Sequence, residues 1–369
     1  MRVGVVGGGA FGVTLARDLA ARDCEVVLFE RGDLAAGSSG RAAGVCYDAF
    51  ADRPDAEVGR RALDRFREFS GTGGFEFTDC PYVFLAREGD DRRARAIEEG
   101  ARRMADHALD VRLVSPADLG ERFPDLRTDD VAVAAVAEGA GYTDPAAYTR
   151  MMGAEARRTG ADLRTHTPVE LAGDTTVETD AGRESFDRVV VAAGAHTRRV
   201  LAAVDVPVPV KPYRVQALTT GPVAESDPLP MLYDATGGYY LRPREGGLLV
   251  GDGTEPIERN PDDWDRAADD WFVADCAGYL ETALGRSVPV ERAWAGLCTA
   301  TPDGHPLLGE CAPGLYVAAG WQGHGFMRAP ALAERLAELI LGGAGIDHFA
   351  PDRFAGDEAF DIVEGMAIE

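Results

Sequence analysis

Close to the start of the chain, Gly7-Gly8-Gly9-Ala10-Phe11-Gly12 has the composition of a turn that holds a phosphate through its own backbone. It follows the apolar run Val3, Val5, Val6 and precedes a stretch with Leu15 and Leu19 at helical spacing, so the order is strand, glycine turn, helix. Three glycines have three tasks: Gly7 permits the tight bend, Gly9 lets N–H groups approach a pyrophosphate, and Gly12 lets helix and strand pack closely. Ala10 and Phe11 open the helix whose dipole faces the anion. A second strand, Glu25-Val26-Val27-Leu28-Phe29, ends at Glu30, 18 residues after Gly12, where a carboxylate accepts hydrogen bonds from a ribose hydroxyl. Glu30 and its neighbour Arg31 are assigned to the nucleotide.

A second glycine-rich segment lies near the other end. Gly320-Trp321-Gln322-Gly323-His324-Gly325-Phe326-Met327 joins the strand Leu315 to Ala319 to a helix reaching Leu341. Such a loop feeding a helix N-terminus presents N–H donors to an electron-rich group; in a flavin that group is the N1–C2=O edge, where charge develops on reduction. Between the two segments, the buried strand Arg188 to Ala195 ends in small residues, Ala193 and Gly194, as a backbone passing close to a cofactor requires.

Positioning these loops takes two interleaved bodies. The expected fold class is mixed α/β (α+β): a discontinuous Rossmann-like nucleotide domain over residues 1–75, 144–205 and 293–369, and a β-rich substrate domain over 76–143 and 206–292. In the first, a helix starts at Asp144-Pro145 and runs to Thr159, followed by a strand from Ala161 to Thr165. In the second, strands are expected near Pro81 to Leu85, Val131 to Val136, Val208 to Thr219, Tyr239 to Arg242 and Leu248 to Val250. A charged helix spans Asp91 to His107, a capped short helix begins near Ser115, and another helix runs from Pro261 to Leu284.

The charge sets limits on partners. Sixty-two acidic against 38 basic residues give −24, and Lys211 is the sole lysine, so nucleic acid is excluded as a partner. Self-repulsion on that scale calls for counter-ions, and the Debye length is about 3 Å at 1 M salt, which points to a high-salt cytoplasm. No apolar run approaches the roughly 20 residues of a membrane span, and the first strand begins at Arg2, leaving no room for a cleaved leader. The six cysteines have neither metal-ligand spacing nor disulfide density, so no metal site is assigned and the thiols are read as reduced.

Almost from end to end the chain resembles the D-amino-acid oxidase family of FAD-dependent oxidoreductases, in particular its glycine/sarcosine oxidase and proline dehydrogenase branch. The resemblance rests on both glycine segments, on Gly37-Ser38-Ser39-Gly40-Arg41-Ala42-Ala43-Gly44, on Ala193-Gly194, on Tyr239-Tyr240-Leu241-Arg242-Pro243 and on Thr301-Pro302-Asp303-Gly304. It implies FAD as cofactor and oxidation of a C–N bond in a small amino acid or amine, with an unidentified electron acceptor. It also implies that Ser39, Arg41, Ala43, Gly44 and Val45 line the phosphates and flavin ring, that Val169 touches the adenine side, and that Gly296 and Gly320 lie on the flavin side with Gly323 to Met327. Tyr240 matches an active-site tyrosine.

Two departures bear on mechanism. Where relatives carry arginine for the substrate carboxylate in a Trp-Ala-Gly-Leu-Arg run, this chain has Cys298, and Arg242 is the candidate replacement. The position of a flavin-tethering cysteine is Gly296, so FAD is expected to be non-covalent. Tyr240, Arg242 and His324 are the catalytic candidates, with Arg328 a weaker one for the carboxylate. The lysines that assist oxygen reactivity in the sarcosine oxidase branch correspond to Leu249 and Met327, which favours a dehydrogenase. A 2-hydroxy acid dehydrogenase and a non-catalytic flavin-binding assembly factor are the competing readings.

Overall fold

A computed structural model describes residues 1–223, 229–363 and 365. The strand Arg2–Val6 lies mid-sheet, parallel to Glu25–Phe29 on one side and to Arg188–Val191 on the other. Asp162–Arg164 extends the sheet beyond Glu25–Phe29, Leu315–Ala319 extends it in parallel beyond Arg188–Val191, and Leu307–Ala312 closes that edge antiparallel. Nearly continuous valine and leucine explain why these strands are buried on both faces.

The helices are α1 (Ala10–Ala20), α2 (Arg53–Phe69), α3 (Asp91–Asp106), α4 (Pro116–Arg122), α5 (Pro145–Arg158), α6 (Thr197–Ala202), α7 (Asp270–Leu284) and α8 (Gly325–Ile340). Among the described residues no helix is long and apolar enough to cross a membrane. Helices α1, α2, α5 and α8 share one core with Val3 and Val5 of the six-stranded sheet and with Tyr82, Phe84 and Tyr233 of the second sheet. A buried ion pair fastens three of them: Arg65 on α2 donates to both carboxylate oxygens of Asp18 on α1, at 2.6 and 2.8 Å, and to the Pro330 carbonyl on α8 at 2.7 Å.

The second sheet has eight strands, in the order Val290–Ala300, Lys211–Thr220, Gly247–Glu258, Tyr239–Arg244, Met231–Asp234, Tyr82–Arg87, Val131–Ala137, Val111–Val114. Its far face packs on α4 and α7 around Leu218, Leu241, Val250 and Phe272. Strand Val290–Ala300 crosses the boundary drawn at residue 293, because it pairs with Lys211–Thr220 along its length, with one register shift at Thr219/Thr220. The strand at Leu248 is also longer than its three apolar residues suggest, running Gly247–Glu258.

Helices α3 and α5 and the Ser115-capped α4 lie where the sequence puts them. The helix expected from Pro261 begins only at Asp270. Its first nine residues are instead a loop, because buried Arg214 removes their backbone from helical pairing. The Arg214 guanidinium donates to the carbonyls of Asp265 and Ala267 and to the Asp269 carboxylate, and the Gln216 amide oxygen accepts from Asp269 N–H at 2.7 Å.

Candidate cofactor and substrate site

One cavity of about 850 Å³ runs between the two sheets, near the upper end of the range for cofactor sites. Its nucleotide end is lined by Gly7, Gly9, Ala10, Phe11, Glu30 and Arg31, with Val169, Ala193 and Gly194 beside them. Gly12 lies behind this wall. A β-carbon on Gly12 would come 2.0 Å from the Gly7 carbonyl oxygen, and one on Gly7, whose φ is +120°, would come 2.3 Å from that of Ala192. These glycines are therefore fixed by close backbone packing.

Helix α1, with Gly9 as N-cap, has no cap from its own N-cap residue and no acidic residue in its first turn, and its positive end faces the cavity. Glu30 accepts from Gly8 N–H at 2.7 Å and from Gly32 N–H at 2.8 Å, while Ser39 Oγ accepts from Ala10 N–H at 2.9 Å. Carboxylate and hydroxyl thus sit on the N–H groups where pyrophosphate and ribose bind in such a turn.

A second helix end points into the same cavity. Helix α8 likewise lacks a side-chain cap and first-turn acid, and its residues Gly325, Phe326 and Met327 line the wall with Gly323. The loop before it is over-determined: Gly320, Gln322 and Gly323 all have positive φ, at 75°, 48° and 78°. Gln322 holds it in place, its N–H donating to the Thr299 carbonyl at 2.8 Å and its amide nitrogen to Val363. Gly320 itself faces Thr301 rather than the cavity, with no space for a β-carbon. Phe11 and Trp321 touch across the gap, ring centres 5.2 Å apart, so the two glycine segments are one unit.

The residues present fit a flavin dinucleotide: two helix N-termini open on one elongated cavity, with Gly7 in its wall and Gly12 packed behind it. Ser39, Arg41, Ala43, Gly44, Val45 and Gly296 line its middle. Tyr240 lines the substrate end, its hydroxyl lying over Gly251, where a β-carbon would be 2.1 Å away.

Arg242 and His324 are held behind the wall. The Arg242 guanidinium donates to the carbonyls of Ala43, Pro243 and Thr143 and lies 5.0 Å over the Tyr142 ring, so it braces the turn that ends at Gly44. His324 is buried with Nε2 3.0 Å from the Tyr47 hydroxyl; burial, then the charge of Arg328, lowers its pKa to about 3. Arg328 is buried too and paired with Asp55, which also meets His305 Nδ1 at 3.1 Å. Asp55, His305 and His348 bring ligating atoms within 4.8 Å of one another, but the Asp55 oxygens are committed to Arg328 and His305. Lys211 donates to the Phe360 carbonyl and stacks on that ring.

The loop before α7 supplies residues that sequence reasoning missed. Asp262 meets His196 Nε2 at 2.9 Å and pairs with Arg31 and Arg199, at the nucleotide end. Burial, then the charges of Arg31 and Arg199, lowers the His196 pKa to about 4. Two and four residues on, Trp264 and Arg266 line the substrate end with Trp294 and Cys298. The loop therefore straps the cavity lengthwise. Its signal was hidden in a segment whose composition reads as helix.

The family described as FAD dependent oxidoreductase (DAO) matches residues 2–339. The human mitochondrial dimethylglycine dehydrogenase is 28% identical over 98% of this chain, though the match covers 43% of that protein; the chain spans about half the length of the longer curated relatives it matches. Glycine oxidase from Bacillus licheniformis is 26% identical, with 92% of each chain covered. The crystal structure of L-proline dehydrogenase from P. horikoshii superposes with a TM-score of 0.87 at 28% identity, covering 96% of this chain and 97% of that one.

Proposed function

The chain belongs to the FAD dependent oxidoreductase family, and from that premise we propose that it oxidises a C–N bond of a small amino acid or secondary amine. The observation that carries this reading is the single cavity that joins the glycine cradle to the Tyr240 end. The relatives named as glycine oxidase and dimethylglycine dehydrogenase, and the similar structure named as L-proline dehydrogenase, all carry names of amino acid or amine oxidation. Bound FAD supplies the two-electron acceptor for the hydride that leaves the carbon next to nitrogen.

The protein supplies binding and orientation. Gly7, Gly9, Ala10, Phe11, Glu30 and Ser39 would hold the dinucleotide, with Gly12 packing the turn from behind, and the first turn of α8 would offer its N–H groups where negative charge grows on the flavin. His324 acts from behind the wall: its N–H closes the loop onto the Trp321 carbonyl at 2.9 Å, and its ring, neutral at neutral pH, orients the loop through Tyr47. Tyr240 closes the substrate end, and Arg242 positions the Ala43–Gly44 turn. FAD is held non-covalently, since Gly296 lies at the tethering position. Leu249 is buried and Met327 lines the cavity, so neither position offers a cation to dioxygen, which favours a dehydrogenase. The surplus of acid fits a cytoplasm rich in salt; a melting temperature that stays flat from low to high KCl overturns that part.

Anaerobic stopped-flow mixing with glycine, sarcosine, proline, D-amino acids and 2-hydroxyglutarate is the test. Loss of the oxidised flavin's visible absorbance with an amine is expected, and bleaching by the hydroxy acid alone overturns the proposal. Mixing the reduced enzyme with air then separates the two acceptor classes: slow return of the yellow colour is expected, and return as fast as turnover identifies an oxidase.

A further inference from the structure

Three arginines and two tryptophans gather along one side of the cavity: Arg41, Arg266, Trp264 and Trp294 line it from its middle to its substrate end, and exposed Arg292 flanks them. Trp264 lies beneath two guanidiniums, those of Arg266 at 5.1 Å and Arg41 at 6.0 Å, and Arg292 lies 5.1 Å over Trp294. Trp294 Nε1 donates to the Arg41 carbonyl at 3.1 Å, and Ala295 N–H to the Arg266 carbonyl at 2.9 Å, which ties the three segments together.

The electrostatics of this cluster run against the rest of the chain. With 62 acidic residues, carboxylates are abundant, yet among the described residues neither Arg266 nor Arg292 is in an ion pair. Burial first, and then the nearby charges of Arg266 and Arg292, lower the pKa of Arg41. Arg41 spends one nitrogen, Nη1, on the carbonyls of Ala36 and Gly37. Asp265, next to Arg266, is turned back onto Ala267 N–H at 2.8 Å. Gathering like charges costs free energy unless an anion joins them, and guanidinium recognises carboxylate bidentately.

The cluster is also built to stay in place. The loop carrying Trp264 and Arg266 is fastened by buried Arg214 and Gln216 at its α7 end and by Asp262 at the other. Such anchoring reduces the ordering needed when a ligand binds.

We propose that Arg41, Arg266 and Arg292, framed by Trp264 and Trp294, form a subsite for a second carboxylate of the substrate, so that the enzyme prefers N-carboxyalkyl amino acids carrying two carboxylates over amino acids carrying one. This rests on the C–N oxidation reading. It also supplies an anion site away from Cys298, where the arginine of the family pattern is missing.

Iminodiacetate and sarcosine test it, because they differ by one carboxylate on the nitrogen substituent. For the wild-type holoenzyme KM is expected to be at least about tenfold lower for iminodiacetate, and in Arg266→Gln/Arg292→Gln the ratio falls to within about twofold. Equal KM values in the wild type, or a ratio unchanged in the variant, overturn the proposal. So does an effect confined to reoxidation of the flavin, which marks a docking patch for an acceptor. Should no amine reduce the flavin, the C–N reading fails by itself, and malonate titrated against the flavin spectrum still decides the subsite. Binding about tenfold weaker in the variant supports it, and equal binding overturns it.

Discussion

At the nucleotide end of the cavity the contact surface is main chain, whereas at the substrate end it is side chain. The first is made largely by one βαβ unit, from Gly7 to Glu30, whose Gly7 and Gly12 leave no space for β-carbons, joined by Val169, Ala193 and Gly194. The second draws Tyr240, Trp264, Arg266 and Trp294 from two strands and a loop, and none of its features recurs at a fixed spacing. Recognition by backbone constrains residue size at many positions at once; recognition by side chains leaves each position free to vary alone. Cofactor choice is thereby rigid and substrate choice adaptable.

The comparison breaks first at Gly12. In Gly12→Val a side chain is forced against the Gly7 carbonyl, separating helix from strand, and flavin affinity is expected to fall by at least about a hundredfold. The ratio of flavin to protein absorbance after gel filtration measures this, and retention of full flavin content would show that the cradle tolerates more than its packing suggests. A milder test lies at the other end. Arg214→Leu frees the strap before α7 and removes a buried charge pair. The expected loss is about 2 kcal/mol of unfolding free energy, below the usual range for such pairs because Glu255 keeps Arg259 and Asp269 reaches solvent. Flavin content should hold while malonate binding weakens; loss of flavin instead would mean that the two ends are not separable.

A further effect concerns pH. His324 stays neutral in the folded protein down to about pH 3, whereas an unfolded histidine takes up a proton near pH 6.5. Its folded pKa is lowered, so its contribution is complete above about pH 6.5 and is lost as pH falls, at up to about 1.4 kcal/mol per unit between pH 6 and 4. His324→Gln should flatten the denaturant-derived stability profile by that slope over the same window. A profile parallel to wild type would place the proton elsewhere.

Legibility followed the same division. Gly7 to Gly12 and Glu30 could be read directly because spacing encodes the turn, and the loop from Gly320 to Met327 because glycine with positive φ has few substitutes. Strands such as Arg188–Val191 declared themselves by unbroken valine. The segment from Pro261 to Asp269 could not be read, since its departure from helix is dictated by Arg214 and Gln216, which lie about fifty residues earlier in the chain. Arg242 was legible as important but not as a brace, because its partners are the carbonyls of Ala43 and Thr143, which any residue can provide.

The strand order of the six-stranded sheet also governs how this protein is made. Arg2–Val6 finds one neighbour at Glu25–Phe29 almost at once, but the other, Arg188–Val191, is aligned through Val3 and Arg188, 185 residues apart. At about 5–20 residues per second, a ribosome takes roughly 10–40 s to deliver it. Leu315–Ala319, which the sheet needs on the far side of Arg188–Val191, emerges later still. For that interval the nascent βαβ unit presents an unpaired strand edge and an uncovered valine face, so its solubility during synthesis depends on chaperones or on the acidic segments translated in between.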